Sequence, residues 1–186
     1  MVERVCPWWL GYLLASPVRS WLSGRPEDLL GPYLDPGATV VEPGPGMGFF
    51  TLPMARMVGE KGRVIAVDIQ PKMLEGLRRR ARKAGLEERV ETRLAHPESL
   101  GLADLACAAD FLLAFAVVHE MPSVPAFFGQ AAAALKRGGV LLLAEPLGHV
   151  DGEAWQRELI AAQTAGLALV GRPKVRRSRA VLLRKV

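Results

Sequence analysis

Residues 39–48 read TVVEPGPGMG, a short β-branched run that ends on an acid and breaks at once into a bend of glycines and prolines. Threonine and valine suit a buried, pleated strand, and the bend that follows suits neither strand nor helix. A helical stretch near 49–58 comes next. Lacking a Cβ, Gly44 and Gly46 let the backbone turn sharply and approach a ligand closely, while Gly48 lets the following helix pack tightly on a sheet. Strand, side-chain-free bend and helix in this order are what a nucleoside-binding junction needs, although a plain tight turn would use the same glycines.

Working outward, RVIAVD (63–68), RVETRL (89–94), DFLLAF (110–115) and VLLLAE (140–145) read as further strands. Each is β-branched or Leu-rich, as a strand buried on both faces should be. Helical stretches are expected near 49–58, 71–84, 98–106, 123–136 and 151–165, with Gly85, Gly138 and Gly139 at C-caps. LALVGR (167–172) and RAVLLRK (179–185), joined by the basic PKVRRS, read as a closing hairpin. This alternation predicts an α/β fold around a mostly parallel sheet. Residues 7–34 mix Trp8, Trp9, Tyr12, Trp21 and Tyr33 with Pro17, Pro26 and Pro32, the pattern of short helices broken by turns. The expected organisation is therefore a helical cap over 1–36 and one domain over 37–186, a length that suits a single core.

Lysines and arginines exceed acids by 24 − 19 = 5, a mild excess that favours anionic partners without demanding nucleic acid. Cys6 and Cys107 stand far apart with no CxxC or Cys/His cluster, so neither a disulfide framework nor a metal site is expected. A reducing, cytoplasmic location follows. WWLGYLLA (8–15) has the apolar character of a signal peptide, yet Pro7 precedes it and Leu13 stands where cleavage wants a small residue, so it reads as mature protein. The apolar stretch 105–118 carries Asp110 and falls short of the ~18 residues of a membrane span.

Asp68 ends the second strand and lies 68 − 48 = 20 residues beyond Gly48, the spacing of a ribose-binding acid. The alternative role is a helix N-cap for the segment beginning at Pro71. Taken in order, VVEPGPGMGFFT, RVIAVDIQPKMLE, DFLLAFAVVHEMPS and LKRGGVLLLAEP resemble the successive motifs of class I S-adenosylmethionine-dependent methyltransferases. The closest likeness is to the quinone-biosynthesis, or type 11, small-molecule group, and it covers 37–146 and, more loosely, the tail. The resemblance implies a Rossmann-like, doubly wound, seven-stranded sheet with an antiparallel last strand and helices on both faces. It implies S-adenosylmethionine as methyl donor and S-adenosylhomocysteine as product. It would set Glu42 at the donor's amino group, Gly44, Pro45, Gly46 and Gly48 beneath its methionyl part, Asp68 on the ribose, Ile69 and Met73 near the adenine, and Phe115 at the end of the fourth strand among the same contacts. Relatives commonly carry an Asp in the loop after the third strand, and here LAHPESL puts His96 there. His96 could accept the adenine hydrogen bond through a ring nitrogen, and Glu98 or a carbonyl could replace it. A nicotinamide enzyme is the main rival; its glycines run GxGxxG, whereas Gly44, Gly46 and Gly48 run GxGxG.

Because the transferred methyl is already activated, such an enzyme chiefly aligns the acceptor and excludes water. A protic acceptor also needs a base. Candidates follow the fourth and fifth strands: His119 and Glu120, then Glu145 and His149. His119 leads them, because an ordinary imidazole titrates near ~6.5, and Glu145 stands second. A structural loop histidine is the competing role. Trp8 and Trp9, with Arg4 and Arg19 nearby, could cover a small or lipophilic acceptor, touch a membrane surface, or simply complete the core. The basic runs 77–85 and 172–179 admit an RNA substrate as a weaker alternative, without any aromatic RNA-binding module beside them. Arsenic methylation is disfavoured for want of a multi-cysteine site, and a cofactor-binding protein without catalysis is a third possibility.

Overall fold

The computed structural model describes residues 24–186. The proposed roles of Trp8, Trp9, Arg4 and Arg19, and most of the expected cap, lie outside the described residues. Within them, helix α1 (Pro26–Leu30) and a one-turn helix (Gly31–Tyr33) lead into the domain.

The strands are β1 (Thr39–Pro43), β2 (Arg63–Asp68), β3 (Val90–Leu94), β4 (Ala109–Phe115), β5 (Leu135–Pro146), β6 (Leu167–Gly171) and β7 (Ser178–Lys185). They form one seven-stranded sheet in the order β3-β2-β1-β4-β5-β7-β6. β1 to β5 pair in parallel, and β7 runs antiparallel to both β5 and β6. The expected Rossmann-like sheet with its reversed final strand is thus what the chain forms. Helices α2 (Thr51–Met57) and α3 (Pro71–Lys83) follow β1 and β2, while α4 (Val124–Ala134) and α5 (Gly152–Thr164) flank β5.

Strand periodicity divides the core. Val41, Ile65, Leu112 and Leu143 point to one face, against Phe127 and Phe128 of α4 and Trp155 and Ala162 of α5. Their neighbours Val40, Val64, Phe111 and Leu142 point to the other, against Leu30, Leu52 and Leu77. Burial on both faces at about 25 cal/mol per Å² of apolar surface is what holds such a sheet together.

Three expectations are corrected. Residues 98–106 do not form a helix: Gly101 sits at φ +64°, outside helical space, and only Ala103–Leu105 closes a single 3-10 turn. Its leucines are nonetheless buried, which is the periodicity that suggested a helix. β3 is not buried on both faces; as an edge strand it is partly exposed along its length. Arg93 there grips Asp104 through two nitrogens, at 2.6 and 2.8 Å, and Glu91 at 2.6 Å. Finally, α4 ends at Ala134 and β5 begins at the next residue, so Gly138 and Gly139 lie inside the strand and not at a C-cap. Gly85, by contrast, follows α3 at φ +67°, as a C-terminal glycine should.

Candidate active site

In the order 3-2-1-4-5, the connections leave in opposite directions on either side of the β1/β4 pair. A crevice at the carboxyl ends of the strands results, and open α/β sheets bind ligands there. Among the described residues, the site residues proposed from the sequence lie at that end.

The bend after β1 is anchored before it turns. Gly44 N–H donates to the carbonyl of Val67 at 2.9 Å, and Gly48 N–H to that of Pro45 at 3.0 Å. All three bend glycines have left-handed φ, at +67°, +55° and +87° for Gly44, Gly46 and Gly48. Their surroundings differ. A Cβ on Gly44 would lie 2.6 Å from Val117 Cγ2, and one on Gly48 would lie 2.5 Å from Leu77 Cδ1. A Cβ on Gly46 would meet nothing within 4 Å. Gly44 therefore fits the bend to the β4 loop and Gly48 fits it to α3, while Gly46 leaves clear space above its backbone. From behind, Arg80 on α3 donates a hydrogen bond to the carbonyl of Met47.

Glu42, buried at the end of β1, accepts a 2.5 Å hydrogen bond from the Thr51 hydroxyl at the start of α2. Asp68 at the end of β2 is 9% exposed. Its Oδ1 accepts from the Gln70 amide at 2.9 Å. Burial raises its pKa to about 6, with the backbone amides of Gln70, Gly46 and Ile69 pulling the other way. The amide of Gly46 ties the acid directly to the bend. The N-cap alternative is not realised: Gln70 occupies that position and α3 receives no side-chain cap. Ile69, beside the acid, is 38% exposed, whereas Met73 is buried on the inward face of α3. His96 is exposed in a turn closed by two hydrogen bonds with Ser99, one residue after the Ala95 amide pairs with the Asp68 carbonyl. Phe115 stacks at 4.5 Å on Phe50, at the foot of the bend.

Across the switch point, the chain leaves β4 through Ala116 at φ +55°, an uncommon conformation for a residue with a Cβ. That turn aims two successive amides at one carboxylate. Glu145 at the end of β5, 0% exposed, receives the Val118 N–H at 2.8 Å and the Val117 N–H at 3.3 Å on Oε1. Its Oε2 lies 2.5 Å from His119 Nδ1. The acid fixes the ring's tautomer: Nδ1–H donates to Glu145, and in the neutral ring Nε2 keeps its lone pair. The hydrogen bond to Glu145 holds His119 above the ordinary imidazole range, burial opposes this, and the charges of Glu145 and Glu120, with that of Glu158 whenever it is ionised, add to it. The His149 ring stands edge-on to His119 at 5.4 Å.

The sequence reading missed Thr51, Arg80 and Glu158. A signal for Glu158 existed, since it shares with Trp155 and Ala162 the helical spacing of the buried face of α5. Among the described residues, no group of three or more His, Cys, Asp or Glu is placed to hold a metal ion.

The cleared space over Gly46 thus lies beside the carboxyl of Asp68, which the Gly46 amide contacts. Comparison with known proteins identifies the family. The model of a methyltransferase domain matches residues 34–169. A ubiquinone biosynthesis O-methyltransferase of Paramagnetospirillum magneticum is 34% identical over 140 residues, 75% of this chain and 51% of the relative. An arsenite methyltransferase of Halobacterium salinarum is 32% identical over 110 residues, 59% of this chain and 27% of the relative. The chain spans about half the length, or less, of these curated relatives. The crystal structure of a SAM-dependent methyltransferase from Aquifex aeolicus superposes with a TM-score of 0.85 at 26% identity, over 98% of this chain and 100% of that one. The chain thus belongs to the class I S-adenosylmethionine-dependent methyltransferases.

Proposed function

We propose that this methyltransferase acts on a protic small-molecule or lipophilic acceptor, a hydroxyl or acidic C–H, whose proton is taken by His119 as the methyl group arrives. The observation that carries this reading is the His119–Glu145 pair at the carboxyl ends of β4 and β5, the acid buried and the ring half-buried, with Nδ1 committed to the acid and Nε2 left to accept. The imidazolium formed on proton transfer is stabilised by a carboxylate already in contact with it. S-adenosylmethionine, when bound, supplies an activated methyl on sulfur. For this chain we assign the amino group to Glu42, the methionyl part to Gly44, Pro45, Gly46 and Gly48, the ribose to Asp68, and the adenine surroundings to Ile69, Met73 and His96, with Phe115 supporting the bend. The likeness to a ubiquinone biosynthesis O-methyltransferase supports an oxygen acceptor. Arsenite fits less well, because the sequence holds two cysteines, and Cys107, the one described, is on the surface. No helix among the described residues is long and apolar enough to cross a membrane, in keeping with a proposed cytoplasmic location.

Incubating the protein with methyl-labelled donor and cell extract, then separating small-molecule, lipid, RNA and protein fractions, tests the acceptor class. Label is expected in the first two, and label confined to RNA would defeat the reading. Replacing His119 with Asn is expected to slow transfer by roughly 10²- to 10⁴-fold, the range of a lost general base, with donor affinity unchanged. Undiminished transfer would remove His119 from that role.

Asp68 sets a pH dependence for donor binding. Ribose hydroxyls donate to a carboxylate and favour its ionised form, so binding is expected to expel the proton that Asp68 holds below about 6. Calorimetry with S-adenosylhomocysteine should show affinity nearly flat above pH 7 and falling by roughly tenfold per unit well below 6. The stability term has the opposite sense: the folded value lies above the ordinary 3.8, so the contribution is complete below that value and lost as pH rises through about 6. Flat affinity between pH 5 and 7 would detach Asp68 from the sugar.

A further inference from the structure

α5 turns one charged side chain inward. Glu158 is 2% exposed, on the same face as Trp155 and Ala162. Its Oε2 has no hydrogen-bond partner among the described residues. Burying a carboxyl in this way costs free energy unless it is neutral or paired. It shares an electrostatic environment with Glu145 and His119. Glu145 has three donors aimed at it, the Val117 and Val118 amides and the His119 ring. Donors thus converge on Glu145 and none reaches Glu158 Oε2, so Glu158 is left to carry a proton.

Among the described residues, the other titratable or charged groups facing this volume are few. They are His119 and Glu120 from the turn after β4, Glu145 from β5, His149 from the turn after β5, and Arg179 from β7. Arg179 is opposite Glu145 in the strand register, and its guanidinium is spent on the carbonyls of Val150 and Asp151 at 3.1 and 2.7 Å. α4, whose sequence is VPAFFGQAAAA, brings no titratable group.

We propose that Glu158 is a positioning residue of the His119 site: held neutral near the His119–Glu145 pair, it withholds a second negative charge, so that the imidazole is not locked as a cation and Nε2 can take the acceptor's proton. This rests on the reading of His119 as the base. A single carboxylate orients an imidazole and supports the charge it acquires, whereas two would keep it charged before the acceptor arrived. Burial drives Glu158 to a pKa of about 8, the Glu145 carboxylate adding to this and His119 opposing it, so the neutral form prevails at physiological pH.

The chain has three histidines, so the His119 ring signal is readily assigned by comparison with the Asn variant. In the unsubstituted protein, an NMR titration of His119 is expected to show a second step near pH 8, as Glu158 ionises. In Glu158→Gln, the uncharged isostere, that step is lost. The same variant is expected to retain transfer at pH 7, with a rate no longer changing through pH 8, while Glu158→Ala, which leaves a void, loses more. Superimposable His119 titrations in Glu158→Gln and the parent would overturn the proposal. Should the variants fold poorly, infrared titration of the parent protein decides: a protonated-carboxyl band that persists above pH 7 and vanishes near 8 supports it, and absence of that band above pH 6 overturns it. The two readings fail separately. Identical titrations remove Glu158 even if His119→Asn abolishes transfer, and full transfer by His119→Asn removes the base even if Glu158→Gln alters the titration.

Discussion

Gly46→Val is expected to fold and to lose its methyl donor. The added Cβ meets no protein atom within 4 Å, so the core is undisturbed. The residue must still hold φ +55°, which costs a β-branched side chain roughly 1–2 kcal/mol. The branched methyls then stand in the space assigned to the donor, and calorimetry should show at least a ~100-fold loss of affinity, equivalent to about 2.7 kcal/mol. The control is Gly48→Val at the same bend. Its Cβ would lie 2.5 Å from Leu77, and the expected result is loss of cooperative unfolding. Two valines two residues apart would thus separate ligand space from packing space. Donor affinity within a few-fold of the parent in a folded Gly46→Val protein would place the nucleoside elsewhere.

Glu145→Gln is expected to damage stability and transfer together. The substitution preserves shape but replaces an acceptor-only group with an amide that has one acceptor oxygen. Three donors point at that position, and the residue is 0% exposed to bulk solvent. At least one donor loses its partner, at about 1–3 kcal/mol, and the charge-assisted contact to His119 disappears. For a domain of this size, a total of about 3 kcal/mol lowers Tm by roughly 6–12 °C. Transfer should fall about as far as in His119→Asn, because the ring is no longer held in the tautomer that leaves Nε2 open. A folded variant with normal transfer would show that the pair is structural.

The half of the site proposed for the cofactor was largely legible in the sequence as a local arrangement. Glu42, the bend and Asp68 lie within 27 residues of one another, and strand, turn and helix impose their spacing locally. The other half was legible only as a list. His119, Glu120, Glu145 and His149 all sit at or after strand ends, and nothing in their local sequence separates a half-buried acid from one at zero exposure. That distinction arises from the left-handed Ala116, which turns two amides toward Glu145 across 28 residues of chain. Glu158 was hidden differently. In GEAWQRELIAAQT it looks like one more acid on an amphipathic helix, and only the rotation that docks Trp155 onto the sheet shows which side it takes. The false helix at 98–106 has the converse cause: Leu100, Leu102 and Leu105 are buried by a loop pressed against α4, its Leu100 amide held at 2.8 Å by the side chain of Gln130.

The strand order β3-β2-β1-β4-β5 puts the bend and Asp68 on one side of the β1/β4 junction and the His119–Glu145 pair on the other, all on a single hydrogen-bonded ribbon. On the proposed assignment, donor cradle and proton acceptor are thus carried like marks on one ruler, its gradations set by the separation of neighbouring strands, about 4.8 Å. Admission of the acceptor and release of the spent donor would then fall to whatever crosses over the strand tips, while the spacing of the two halves is set when the sheet zips up.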